Sequence, residues 1–258
     1  MHAILTWLLA ALGLFAGMLA CMEWGRYLGK RRLAGDSAGA REGFGAVDGA
    51  VFGLLGLLVA FTFSGAMSRF DQRRTLVVQE ANAVGTAWLR LDLLAQGPRA
   101  QLQELFRQYL DARLAVYAQL PDLSAARAEI EHANRLQADI WRLAVPACHT
   151  QGEAHVNMLL LPALNEMFDL ANMRTAISTH HPPLVIYLLL FGAALGCSVL
   201  VGNSTSVARE RSWLHLLGFS VLMATAVYVI LDLEYPRMGL IRVDQADQVL
   251  FELRASMK

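Results

Sequence analysis

Four apolar runs decide what this chain can become. Residues 3–22, 184–201 and 214–231 contain no acidic or basic side chain except His215, and residues 46–67 contain only Asp48. A helix of about 20 mainly apolar residues crosses the hydrocarbon core of a bilayer. Each run therefore predicts a membrane-spanning helix, and the four pair into two hairpins. The first run reads as a span and not as a cleaved leader. It lacks a charged start, its apolar region is long, and basic residues follow it.

Composition agrees. Charged residues make up 17% of the chain and hydrophobic ones 55%, whereas soluble domains carry about 25% charged residues. Lysine plus arginine equals aspartate plus glutamate, 22 against 22, so no net charge recommends nucleic acid as a partner. Three cysteines, Cys21, Cys148 and Cys197, lie far apart and define neither a disulfide framework nor a zinc site.

Charge also bears on orientation. Arg26, Lys30, Arg31, Arg32 and Arg41 lie between the first two spans, and Arg209 and Arg211 between the last two. The positive-inside rule places both short loops in the cytoplasm, which puts both termini and the middle segment outside.

The middle segment, residues 68–181, reads as helices throughout. Leu102, Leu105, Phe106, Tyr109, Leu110, Leu114 and Tyr117 recur at three- and four-residue steps, one face of a helix. Gln101, Glu104, Arg107, Gln108, Asp111 and Arg113 occupy the other face. Pro121-Asp122 ends this helix; another covers 129–143 and stops before Pro146, and a third covers 156–177. Pro162 falls either in the first turn of that third helix or at a bend in it. Nothing breaks the sequence after the second span. Either one helix runs from Val47 to about Ala95, or a kink near Ser68 divides two. The loop at 34–43 is the most flexible stretch expected. The expected divisions are a first hairpin at 1–67, a helical aqueous domain at 68–181, a second hairpin at 182–235 and a C-terminal segment at 236–258.

The second span carries Gly45, Gly49, Gly53 and Gly56, although each glycine costs a helix about 1 kcal/mol relative to alanine. Residues four apart share a face, so these four form a smooth stripe. In a bilayer such a stripe lets backbones approach closely. Its partner is either another helix of the same subunit or the same helix of a second copy. Phe52, Leu54, Leu58, Phe61 and Phe63 lie on the other faces, and a ring of such side chains around a pore gates by dewetting.

Catalytic signatures are absent, and no enzyme activity or cofactor is expected. Cys148, His149, Glu153 and His155 match no metal-ligand spacing, and no metal is assigned to them. Glu80, Asn82, Arg90 and Asp92 interrupt one apolar helix; Asn165, Glu166, Asp169, Asn172 and Arg174 interrupt another. The expected polar network joins Glu80 and Asn82 to Asn165, Glu166 and Asp169 across the two helices. Asp232 and Glu234, at the end of the fourth span, cap the helix, pair with arginine or bind a cation. Arg69, Arg73 and Arg74 follow the second span, and in a symmetric oligomer they form rings that favour anions.

Four segments carry a resemblance: GLLGLLVAFTFSGAMSRFDQRR, VVQEANAVGTAWLRLDLL, LLLPALNEMFDLANMR and ILDLEYPRMGLIRVDQ. Together, over roughly residues 45–250, the chain resembles the bacterial bestrophin-like domain family, which is distantly similar to the bestrophin anion channels. The resemblance implies a pentamer in the inner membrane whose second membrane helix lines a pore. It implies a constriction at Leu57 and Phe61, with Gly65 where a third large side chain is expected. It also implies a cytoplasmic middle domain, opposite to the charge-based orientation. No dense acidic cluster matches the bestrophin calcium clasp, so calcium gating is not carried over. The expected function is a homo-oligomeric channel for small anions, surrounded by membrane lipid, with Leu57 and Phe61 as constriction and Arg69 and Arg73 as attracting groups. The alternative is a non-conducting membrane scaffold or sensor that binds a protein partner through its helical domain.

Overall fold

The computed structural model describes residues 2–35, 44–119, 122–150, 154–207, 212–237 and 239–257. Arg41 and most of the 34–43 loop, Pro121, Glu153, Arg209 and Arg211 lie outside them. The described residues form eight α-helices: α1 (His2–Gly35), α2 (Phe44–Arg90), α3 (Gln96–Ala118), α4 (Leu123–Thr150), α5 (Ala154–Thr179), α6 (Leu184–Ser204), α7 (Trp213–Glu234) and α8 (Asp244–Ser256). The fold is all-α. Two apolar hairpins, α1–α2 and α6–α7, flank the helical segment α3–α5. Four helical stretches are long and apolar enough to cross a membrane: 5–32, 45–93, 155–204, which contains α6, and 213–234.

The chain divides into two compact units. The first comprises Met1–Arg69 and His181–Ile241, the second Phe70–His180 and Arg242–Lys258. α2 contributes to both, because it is a single helix of 47 residues, about 70 Å at 1.5 Å per residue. There is no break at Ser68. Glycine and serine lower helix propensity there, but neither forces a kink as proline does.

In the first unit, α1 packs along α6 and then α7. The α1–α6 contact is built on glycine. A Cβ at Gly25 would collide with the Val199 carbonyl, and one at Gly202 with the Met22 carbonyl. A Cβ at Gly29 would meet Ser206 and the Asn203 carbonyl. α2 is held differently, through long side chains. Phe52 meets Phe219 of α7 edge to face at 6.1 Å, and the Cys197 thiol of α6 lies 3.9 Å from the Val51 carbonyl. Leu8, Leu54, Leu188 and Leu222 are exposed on this unit. So much exposed apolar surface suits lipid, not water.

The second unit packs α3 on α4, α4 on α5, and α8 on α3. Phe106, Tyr109, Leu110, Ile140, Leu160, Leu164 and Met167 are fully buried in it. Asp122 caps α4: its Oδ1 accepts the backbone N–H of Ser124 at 2.9 Å and of Ala125 at 3.1 Å, and the Ser124 hydroxyl at 2.6 Å. That hydroxyl and those amides hold the Asp122 carboxyl below its usual range. Two expectations change here, for Pro146 and Arg113, and one of the two alternatives for Pro162 is removed. α4 does not stop before Pro146 but continues to Thr150 with the proline inside it. An interior proline costs about 3 kcal/mol, and burial of Ile140, Ala144, Ala147 and Cys148 along this helix opposes that cost. Pro162 lies inside α5, beyond its first turn, and Arg90 Nη1 donates to the nearby Leu159 carbonyl at 2.6 Å. Arg113, assigned above to the polar face of α3, is buried.

Candidate functional site

Arg113 is buried because it has a partner. Its Nε donates to Glu80 Oε1 at 2.6 Å, and Arg174 Nη1 donates to Glu80 Oε2 at 2.6 Å. Arg174 Nη2 donates in turn to Asp247 Oδ1 at 2.7 Å, and its guanidinium lies 4.2 Å from the Tyr117 ring centroid. Two acids and two arginines from α2, α3, α5 and α8 thus neutralise one another in the core of the second unit. Burial opposes charge on Glu80, but the two guanidiniums outweigh it and hold the carboxyl below its usual range. Burial pushes the neighbouring Tyr109 phenol up to about 12. Of the polar residues named from sequence, Glu80 and Arg174 meet. Asn82, Asn165, Glu166 and Asp169 are exposed, and the network runs instead through Arg113 and Asp247. Helical spacing was the available signal for those two: Arg113 lies three or four residues from Tyr109, Leu110 and Val116, and Asp247 from Val243 and Leu250, all of them buried.

The first unit holds a second charged cluster. Glu234, at the last residue of α7, is 0% exposed. A buried carboxylate needs a cation or hydrogen bonds to keep its charge. Arg69 of α2 supplies both: its Nε donates to Glu234 Oε1 at 2.8 Å, and its Nη2 donates to the same oxygen. His181 Nδ1 lies 3.8 Å from Glu234 Oε2. The His181 ring stacks on Tyr235 at 4.4 Å, and Tyr235 stacks on Trp7 at 4.7 Å. Asp232 has a different task. Its carboxylate accepts the N–H groups of Leu240 at 3.0 Å and Ile241 at 2.7 Å, folding the chain back after α7. Gly239 sits against that carboxylate, where a Cβ would not fit.

Arg69 and Glu234 also line a cavity of about 260 Å³, whose other walls include Leu58, Phe61, Thr62, Gly65, Ile186 and Tyr187. Phe61 is 68% exposed and Leu57 is also exposed. Gly65 has a visible reason to be small: a Cβ there would lie 3.3 Å from Arg69 Nη1. The missing side chain leaves the guanidinium room beside α2. Arg73, in contrast, belongs to the second unit, where it is buried and its Nη2 donates to the His180 carbonyl at 3.1 Å, beyond the end of α5. Among the described residues, nothing lies within 4 Å of a Cβ placed at Gly45, Gly49, Gly53 or Gly56. The glycines used inside the chain, Gly25, Gly29 and Gly202, escaped the sequence reading. The Gly25-x-x-x-Gly29 spacing was the available signal. Among the described residues, no group of three or more His, Cys, Asp and Glu side chains is placed to hold a metal ion.

Two apolar hairpins around a helical segment, with a charged pair at an otherwise apolar cavity, define a polytopic all-α membrane protein. The chain belongs to the bestrophin-like domain family, whose profile matches residues 8–247. That family is related to the bestrophin anion channels. Among solved structures, the fold is similar to that of a bacterial bestrophin homologue from Klebsiella pneumoniae carrying a tyrosine-to-alanine substitution. The TM-score is 0.65 and the identity 13%, over 93% of this chain and 98% of that one. At this identity the likeness is one of fold. No curated protein matches the chain.

Proposed function

We propose that this protein is a homo-oligomeric channel of the bacterial inner membrane, passing small anions through an opening lined by α2. The observation that carries the proposal is the open face of that helix. Among the described residues, a Cβ at Gly45, Gly49, Gly53 or Gly56 would meet nothing within 4 Å, yet four glycines in a spanning helix are costly unless a backbone packs against them. A second copy is the partner that fits, and family kinship suggests five copies. Leu57 and Phe61 follow on the same helix and are exposed. In an oligomer around α2 they form the constriction, and Arg69 stands about two turns beyond Phe61.

Purified protein in liposomes tests this directly. Chloride flux is expected from the assembled oligomer, and Phe61→Ala is expected to raise it several-fold by widening the constriction. An assembled oligomer that passes no anion overturns the proposal. A second reading rests on the second unit, where Leu89, Met158 and Met173 are large, apolar and exposed. A non-conducting scaffold would present them to a protein partner. In that case Phe61→Ala changes nothing, while charged substitutions at Leu89 and Met158 abolish partner binding.

A further inference from the structure

The end of α7 is an unfavourable place for a negative charge, because the carbonyl end of a helix already carries partial negative charge. Glu234 stands there, fully buried, and keeps two of the Arg69 N–H groups on one of its oxygens. The two members of the pair are unequally placed. The Arg69 side chain is 30% exposed and that of Glu234 is 0% exposed. Both border the cavity that also holds Phe61 and Gly65. An ion entering that cavity therefore meets a guanidinium first, with a carboxylate close behind it. The remaining wall is nearly all apolar, so little else there screens or competes with the pair.

We propose that Glu234 is the selectivity-determining residue of this channel. It neutralises Arg69 from behind and thereby limits the preference for anions that a bare arginine ring would impose. This rests on the reading of α2 as the lining of the passage. Gly65 lies beside the pair, where a Cβ would come within 3.3 Å of Arg69 Nη1.

The test is the reversal potential of the purified oligomer in planar bilayers under a sodium chloride gradient. Wild-type protein, Glu234→Gln, Arg69→Gln and the double variant are compared. Glu234→Gln leaves Arg69 without its counter-charge, and the chloride-to-sodium permeability ratio is expected to rise by about tenfold; a unit charge a few ångströms from an ion exceeds that factor before salt screens it. Arg69→Gln is expected to shift the ratio toward sodium, and the double variant to return it near the wild-type value. Breaking a buried pair from one side is destabilising, and Arg69→Gln and the double variant guard against a Glu234→Gln protein that fails to assemble. The comparison of Arg69→Gln with the double variant then isolates the same carboxylate. A conducting wild type whose ratio is unmoved by Glu234→Gln, or unmoved between those last two, overturns the inference alone. A wild-type oligomer that carries no current overturns the channel reading, and this inference with it.

Discussion

Glu80 shows how much one carboxylate does in the second unit. It receives Arg113 on one oxygen and Arg174 on the other, and all three side chains are buried. Removing its charge leaves Arg113 without an acidic partner and Arg174 with Asp247 alone. Glu80→Gln is expected to cost about 3–5 kcal/mol, read as an earlier thermal unfolding transition in detergent. The pH dependence has a definite sign. The carboxyl is held below its unfolded value of 4.5, so the unfolded chain binds the proton more readily. The stabilisation is complete above that value and fades as pH falls through the folded one. Acid titration followed by circular dichroism should show that loss in the wild type and lose this component in Glu80→Gln. From sequence, Glu80 stood out because it interrupts apolar neighbours, and Arg174 because it follows a polar stripe. Arg113 lies three or four residues from Tyr109, Leu110 and Val116, on the buried face of α3. An arginine there requires a counter-charge, but spacing along α3 does not say which carboxylate of another helix supplies it.

Among elements, two glycine faces obey different demands. Gly25 and Gly202 bring α1 and α6 into backbone contact within one chain. Gly49 and Gly53 of α2 leave open space there. Gly202→Val is expected to destabilise the monomer fold by at least about 1–3 kcal/mol, the usual penalty of overpacking. Gly53→Val is expected to leave that fold intact and to lower the oligomer mass measured in detergent. Equal effects on both readouts would remove the distinction. Helix existence was plain in the sequence, because each apolar run is long and unbroken. The partner of each glycine face was not, since spacing defines a smooth surface without saying what lies on it. Pro146 shows the complementary limit: proline argues for an ending, but packing on either side of it carried α4 onward.

For the molecule as a whole, the four spans and the helical segment between them were readable from hydropathy and punctuation. The long α2 was one of two open alternatives, because a sequence without breakers fits a straight rod or a kink equally well. The charged pair was only half readable. Pairing with arginine was one of three roles open to Glu234, and Arg69 stood as a bare ring, since its partner lies far along the chain. The turn after α7 has a consequence of its own. One carboxylate, Asp232, fastens the amides of Leu240 and Ile241, although the Leu240 side chain is exposed. Those two amide hydrogens should trade with deuterium as slowly as helical ones despite belonging to no helix, and Asp232→Asn should release them. A surface position in this protein can thus keep an interior tempo.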